Sequence, residues 1–174
     1  MIKLEKFEIE DCDRLISWIP DARFLLQWAG PQYSWPLDRK QIAENLNKTE
    51  GKRPERYIFK AVDSPAGDVV GHIEFIRVDY EKLTGHIGRV LIGNPSNRGK
   101  GLGKEMLSVF IDWAFGKLRL EEVTLSVFDF NAPALECYKG LGFKRFKFMR
   151  GARRFEGESW NIVRMRLQRK KGRR

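Results

Sequence analysis

From Leu91 to Gly103 the chain runs Leu-Ile-Gly-Asn-Pro-Ser-Asn-Arg-Gly-Lys-Gly-Leu-Gly. An apolar strand ends at Asn94-Pro95. Glycines then fall at 99, 101 and 103, with Arg98 and Lys100 beside them, and an amphipathic helix opens at Leu102. Glycine lets the backbone approach a ligand closely and adopt positive φ without a Cβ clash. A helix start leaves N–H groups without intrahelical partners and carries partial positive charge. Together these features make an anion site suited to a pyrophosphate. The spacing sets it apart from two other phosphate loops. A Walker A loop has four residues between its first glycine and Gly-Lys, then Ser or Thr. Here five residues separate Gly93 from Gly99-Lys100, and Gly101 stands where the hydroxyl belongs. A dinucleotide fingerprint reads GxGxxG, whereas Gly99, Gly101 and Gly103 read GxGxG. The plainer alternative is a glycine-rich turn between a strand and a helix.

A second constellation lies downstream. Val123 to Phe128 is β-branched and apolar and reads as a buried strand. Asn131 then caps a helix, Pro133 sits in its first turn, and Gly140 or Gly142 stops it. Asn131 and Tyr138 are two turns apart, on one face, about 10 Å along the axis. The Arg98-x-x-Gly101-x-Gly103 pattern resembles the acetyl-CoA pyrophosphate loop of the GNAT family of N-acetyltransferases. The Asn131…Tyr138…Gly142-Phe143 series resembles that family's second signature, on the helix lining the other side of the cofactor cleft. The resemblance covers about Val69 to Phe143.

The resemblance implies acetyl-CoA as co-substrate, with no metal, and an amine as acceptor, attacking directly in a ternary complex. It implies that the backbone of Leu91, Ile92 and Gly93 holds the pantetheine arm. Backbone amides from Arg98 through Gly99, Lys100, Gly101, Leu102 and Gly103 to Lys104 would hold the pyrophosphate. Asn131 would contact the pantetheine, cap its helix, or do both. Tyr138 would be the general acid: a phenol with pKa near 10 is protonated at neutral pH and can donate to a departing thiolate. The alternative is an ordinary core tyrosine. The base is less legible. Many relatives place a carboxylate on the strand before the phosphate loop, where this chain has Ile87 and Arg89. Glu74, amid apolar neighbours that would raise its pKa, and His86 are the remaining candidates, with His72 third. Glu74 would otherwise be an outward polar residue. A base acting through water, or an already neutral amine, needs no such residue. Trp28, Tyr33 and Trp35, with Pro36, occupy the region of the family's acceptor site. Aromatic walls suit an amine, although the same residues could simply pack the early helices on the sheet. The Trp28-Ala29-Gly30-Pro31 and Trp35-Pro36 run is similar to the ribosomal-protein and aminoglycoside acetyltransferase branch.

The elements positioning these residues follow from periodicity and punctuation. Ile2 to Phe7 reads as a strand and Ile9 to Ile19 as a helix ending near Pro20. Phe24 to Ala29 reads as a further helical turn. Asp38 and Gln41 form a capping-box-like pair opening a helix to about Lys48. Strands are expected over Tyr57–Val62, Val69–Asp79 and Thr84–Gly93, and a long helix over Leu102–Leu118 with Met106, Phe110 and Trp113 in its buried stripe. Phe143–Arg150 and Trp160–Leu167 read as a closing antiparallel pair. The expectation is one α/β domain over residues 1–168: a mixed, mostly antiparallel twisted sheet of six to seven strands with about four helices. A basic tail over 169–174 is expected to lie outside the core.

The 174 residues suffice for one domain with a real core. At 42% hydrophobic with 12 Phe and 5 Trp, wholesale disorder is excluded. No apolar run reaches the roughly 18 residues of a membrane span, and the N-terminus lacks the apolar stretch of a secretory signal. Only Cys12 and Cys137 are present, so a disulfide scaffold is not expected and a reducing cytoplasm is the simpler location. Cys137 reads as a packing residue. Half of the net charge of +10 comes from five of the last six residues. Solvated surface is the first reading. Attraction of a polyanionic cofactor, or association with RNA or a ribosome, is the alternative. No zinc spacing or RNA-binding signature accompanies the charge. A non-catalytic acyl-CoA-binding domain and a homodimer both stay open.

Overall fold

A computed structural model describes residues 1–64 and 66–170. Of the basic tail, 171–174 therefore lie outside the described residues. Seven strands form one sheet: β1 Ile2–Lys6, β2 Tyr57–Asp63, β3 Asp68–Asp79, β4 Thr84–Ile92, β5 Glu122–Phe128, β6 Lys144–Phe155 and β7 Glu158–Gln168. Their spatial order is β1-β2-β3-β4-β5-β7-β6. Every neighbouring pair is antiparallel except β4 and β5.

Five α-helices flank the sheet: α1 Cys12–Ser17, α2 Ala22–Ala29, α3 Arg39–Leu46, α4 Leu102–Gly116 and α5 Ala132–Gly140. The region Ile9–Ile19, expected as one helix, divides into a 3-10 turn over Ile9–Asp11 and the short α1. The cause is local: Asp11 turns its carboxylate back to accept from the Glu8 amide at 2.9 Å, closing a reciprocal cap. Asp21 caps α2 and Asp38 caps α3, accepting from Phe24 N and Gln41 N.

Two apolar layers hold the helices on opposite faces of the sheet. Phe75, Ile87 and Leu125 pack with Met106 and Phe110 of α4 and Leu135 of α5. Phe7, Ile58 and Leu91 pack with Leu15, Leu25 and Ile42 of α1–α3. Side chains alternate across a strand, so β4 sends Ile87 to one layer and Leu91 past a register shift to the other.

The parallel β4–β5 pairing runs only from Thr84↔Glu122 to Ile87↔Leu125. Beyond it β4 stays on β3, through Ile92↔Gly71, while β5 stays on β7, through Phe128↔Ile162. The sheet therefore opens into a V between the C-terminal halves of β4 and β5. Both constellations singled out in the sequence lie at its mouth.

Candidate active site

The loop after β4 forms one lip of the V. Gly99 and Gly101 take φ of +74° and +84°, and a Cβ on either would meet nothing within 4 Å. Gly101 is the N-cap of α4 and makes no side-chain cap, so the first-turn amides face the opening without a competing acceptor from a cap. Gly93 serves packing instead: a Cβ there would lie 2.0 Å from the Trp18 ring. Arg98 folds back on its own loop. It donates to the Ile92 and Gly93 carbonyls at 3.0 Å each, with its guanidinium 5.5 Å from the Phe24 ring centroid.

A cavity of about 660 Å³ fills the V. Of the residues expected to hold a cofactor, Leu91, Ile92, Arg98, Gly99, Gly101, Gly103, Lys104 and Asn131 line it; Gly93, Lys100 and Leu102 do not. Tyr138 and Cys137 line its other wall. Asn131 caps α5, accepting from Ala134 N at 3.3 Å, so capping and cleft lining are compatible. Burial, with a smaller contribution from Cys137, raises the Tyr138 pKa above its ordinary value. The phenol stays protonated through the neutral range. Burial also raises the Cys137 pKa, against a smaller opposing effect of Lys104, which removes the thiolate a covalent route would need. Among the described residues no three His, Cys, Asp or Glu side chains are grouped to hold a metal ion.

A second cavity, of about 470 Å³, lies beside the first. The two share Gln27, Trp28, residues 87–89 of β4 and 126–128 of β5. Trp28 is the one expected acceptor-site aromatic in these walls. Tyr33 is buried beneath it, stacked at 6.1 Å. Trp35 is exposed and outside both cavities. The expectation that all three line an acceptor site is corrected accordingly: Tyr33 belongs to the α1–α3 packing layer.

The base candidates also change standing. Glu74 lines neither cavity. Its carboxylate accepts from Arg89, from Arg56 at 3.0 Å and pairs with His72 Nε2 at 3.2 Å. Burial alone would raise its pKa, but Arg89, His72 and Arg56 together hold it below the ordinary value. Glu74 is thus a neutralised buried anion, not a free base. His72 is buried against Phe7 and Trp28 and lines neither cavity. Breaking a buried ion pair from one side typically costs about 3–5 kcal/mol. Glu74→Gln should therefore lower unfolding free energy by about 3 kcal/mol or more in urea titrations. A variant as stable as the parent but inactive would return Glu74 to the reaction.

His86 lines the second cavity, with Nδ1 2.9 Å from Thr124 Oγ1. Burial, then Arg77, Arg164 and Arg89, lower its pKa to about 3. It is neutral at physiological pH and a weak base. The shift has a stability consequence. The unfolded histidine takes up a proton near pH 6.5 whereas the folded one resists, so the contribution is intact above 6.5 and lost as pH falls towards 3. Between pH 7.5 and 5 this group alone should remove about 2 kcal/mol. Urea unfolding at both pH values should show that much less acid loss in His86→Gln; an identical loss would mean His86 titrates normally in the fold.

A family model described as an acetyltransferase (GNAT) domain matches residues 2–144. The chain belongs to the GNAT family. An N-acetyltransferase 9-like protein of Caenorhabditis briggsae is 32% identical over 126 residues, 67% of this chain and 56% of that protein. The L-amino acid N-acetyltransferase AaaT of Escherichia coli is 36% identical over 83 residues, 45% of this chain and 48% of that one. The chain spans about half the length of these curated relatives. A crystal structure of spermidine N-acetyltransferase from Vibrio cholerae, in complex with CoA and spermine, shares the fold with a TM-score of 0.81, at 20% identity, over 96% of this chain and 95% of that one. The GNAT assignment matches the two constellations from which the family resemblance was drawn.

Arg77, Arg89 and Arg153 in the second cavity were not legible as site residues in the sequence. Arg89 carried a faint signal, a charge inside the apolar run Ile87–Ile92.

Proposed function

We propose that residues 1–168 form an acetyl-CoA-dependent N-acetyltransferase that acetylates a primary amine by direct attack in a ternary complex. The observation carrying this reading is that the two cavities adjoin, with residues 87–89 and 126–128 lining both. A thioester bound along β4 would face an amine entering from the second cavity.

Acetyl-CoA, when bound, supplies the activated acetyl group and a thiol leaving group. The amides at the start of α4 bind the pyrophosphate through unpaired N–H groups and the helix dipole. The free backbone edge of β4 at Leu91 and Ile92 orients the pantetheine arm. Tyr138 donates its proton to the thiolate as the C–S bond breaks. No carboxylate is required as base. The guanidinium groups around the second cavity disfavour an ammonium there, so the amine enters neutral, attacks the thioester carbon, and passes its surplus proton to water, from which the Tyr138 phenolate is reprotonated. His86, neutral itself, adds no competing cation.

The likeness of the Trp28–Pro31 and Trp35-Pro36 run to ribosomal-protein and aminoglycoside acetyltransferases leaves the acceptor open, as do relatives acting on amino acids and a fold neighbour binding spermine. A screen following free thiol release from acetyl-CoA, over amino acids, peptides, polyamines and aminoglycosides, tests the reading. At least one amine class should give release above the hydrolytic background. Tight acetyl-CoA binding with no release by any class would make the chain an acyl-CoA-binding domain.

A further inference from the structure

The second cavity has an unusual charge. Arg77, Arg89 and Arg153 line it together with His86, and no Asp or Glu lies in its walls. Two of these arginines are held in place by the backbone. Arg77 and Arg89 have φ of +53° and +49°, a left-handed conformation that is uncommon and costly for L-residues. Each occupies a break in the β3–β4 ladder. Pairing passes from Ile76↔His86 to Asp79↔Thr84, leaving Arg77 and Val78 opposite Gly85 alone. It passes from His72↔Leu91 to Glu74↔Gly88, leaving Arg89 and Val90 opposite Ile73 alone. A bulge re-aims a side chain that regular pleating would send elsewhere. Here two successive bulges direct arginines to one cavity.

The donors there are not all satisfied. Arg89 is buried; it donates to Glu74 and to Gln32, yet its Nε has no partner. Arg153 donates to its own neighbour's carbonyl, Ala152 O, at 2.6 Å, and its Nε is also buried without a partner. Neither Arg153 nor the solvent-exposed Arg77 forms an ion pair among the described residues. Buried unpaired N–H groups are costly and rare. Guanidinium forks match a carboxylate in shape and charge.

We propose that the acceptor is an amine that also bears a carboxylate, such as a free amino acid or a short peptide, with Arg77 and Arg153 as the residues that select it. This rests on the N-acetyltransferase reading above. The carboxylate pairs with these two guanidiniums while the amine points towards the shared wall at residues 87–89. A polyamine meets the same groups as like charges and is rejected.

The test compares matched acceptors. L-amino acids and their C-terminal amides, an N-terminal aspartyl dipeptide amide and spermidine are assayed by thiol release from acetyl-CoA. The free acids should exceed their amides by about 10-fold or more in kcat/KM, mainly through KM, with spermidine lowest. If the aspartyl dipeptide amide matches the free acids, the selected carboxylate is a side chain's as well as a terminus. In the double variant Arg77→Gln/Arg153→Gln the acid-to-amide ratio should fall to about one. Neither residue lines the acetyl-CoA cleft, so acetyl-CoA affinity reports whether that variant is folded. The amino-acid amides or spermidine matching the acids, or a variant that keeps the ratio, would overturn the proposal. If no amine is acetylated, the transferase reading fails separately. Calorimetry of N-acetylated amino acids and their amides against the CoA-saturated protein then decides the carboxylate site: equal affinities, or a preference that survives in the double variant, would refute it.

Discussion

Tyr138→Phe should lower kcat by roughly 10²–10⁴-fold, the usual contribution of a general acid, while leaving the fold and most acetyl-CoA affinity in place. The ring is buried in the α4–α5 layer and sits edge-on to Phe143 at 6.0 Å between centroids. Phenylalanine keeps that packing and removes only the hydroxyl. The hydroxyl makes no hydrogen bond to a described side chain or backbone group, so its loss leaves no orphaned partner to destabilise the fold. Burial raises its pKa, so the wild-type donor stays neutral and protonated well past neutral pH. The loss should therefore be of similar size from pH 6 to 9. Steady-state thiol release at saturating acetyl-CoA gives the number. Turnover near the parental rate would make Tyr138 a packing residue.

Gly101→Glu should weaken acetyl-CoA binding by about 100-fold or more, close to 3 kcal/mol. Two effects add. Position 101 has φ of +84°, which any side chain strains. The new carboxylate would also project into the open space beside the unpaired amides of α4 and repel a pyrophosphate. Gly101→Ala carries the strain without the charge and should lose less. Calorimetric titration of the three proteins separates the effects. Equal affinities for the glutamate variant and the parent, with the fold intact by circular dichroism, would place the pyrophosphate elsewhere.

The two lips of the cleft were readable because their signals are local. A glycine loop before a helix, or Asn131 before Pro133, specifies its backbone within a few residues. The strands carrying the site were readable for the same reason: Thr84–Ile92 and Glu122–Phe128 differ by a residue at one end from the expected ranges. What could not be read depends on partners distant in sequence. The divergence of β4 from β5 is a matter of which strand each keeps as neighbour. β6 runs past the expected Arg150 to Phe155 because Gly151 turns through φ of +58° and donates its N–H to Asn161 of β7 at 2.9 Å. The role of Glu74 was misjudged for a related reason. A carboxylate among apolar neighbours suggests a raised pKa only until its partner is known. That partner, Arg89, lies 15 residues away on the adjacent strand, brought opposite by a bulge that no local pattern announces. Arg169, counted with the tail, donates its N–H to the Glu121 carbonyl at 2.8 Å and so continues the β5–β7 pairing by one residue in the middle of the sheet.

Hydrogen–deuterium exchange with and without acetyl-CoA tests the cleft most directly. Amides that bind a ligand or close over it exchange more slowly. The expected result is protection concentrated at residues 91–93, 98–104 and 131–138, on both lips of the β4–β5 opening, with α1 and α3 unchanged. Protection confined to other surfaces, or none at saturating acetyl-CoA, would contradict the account.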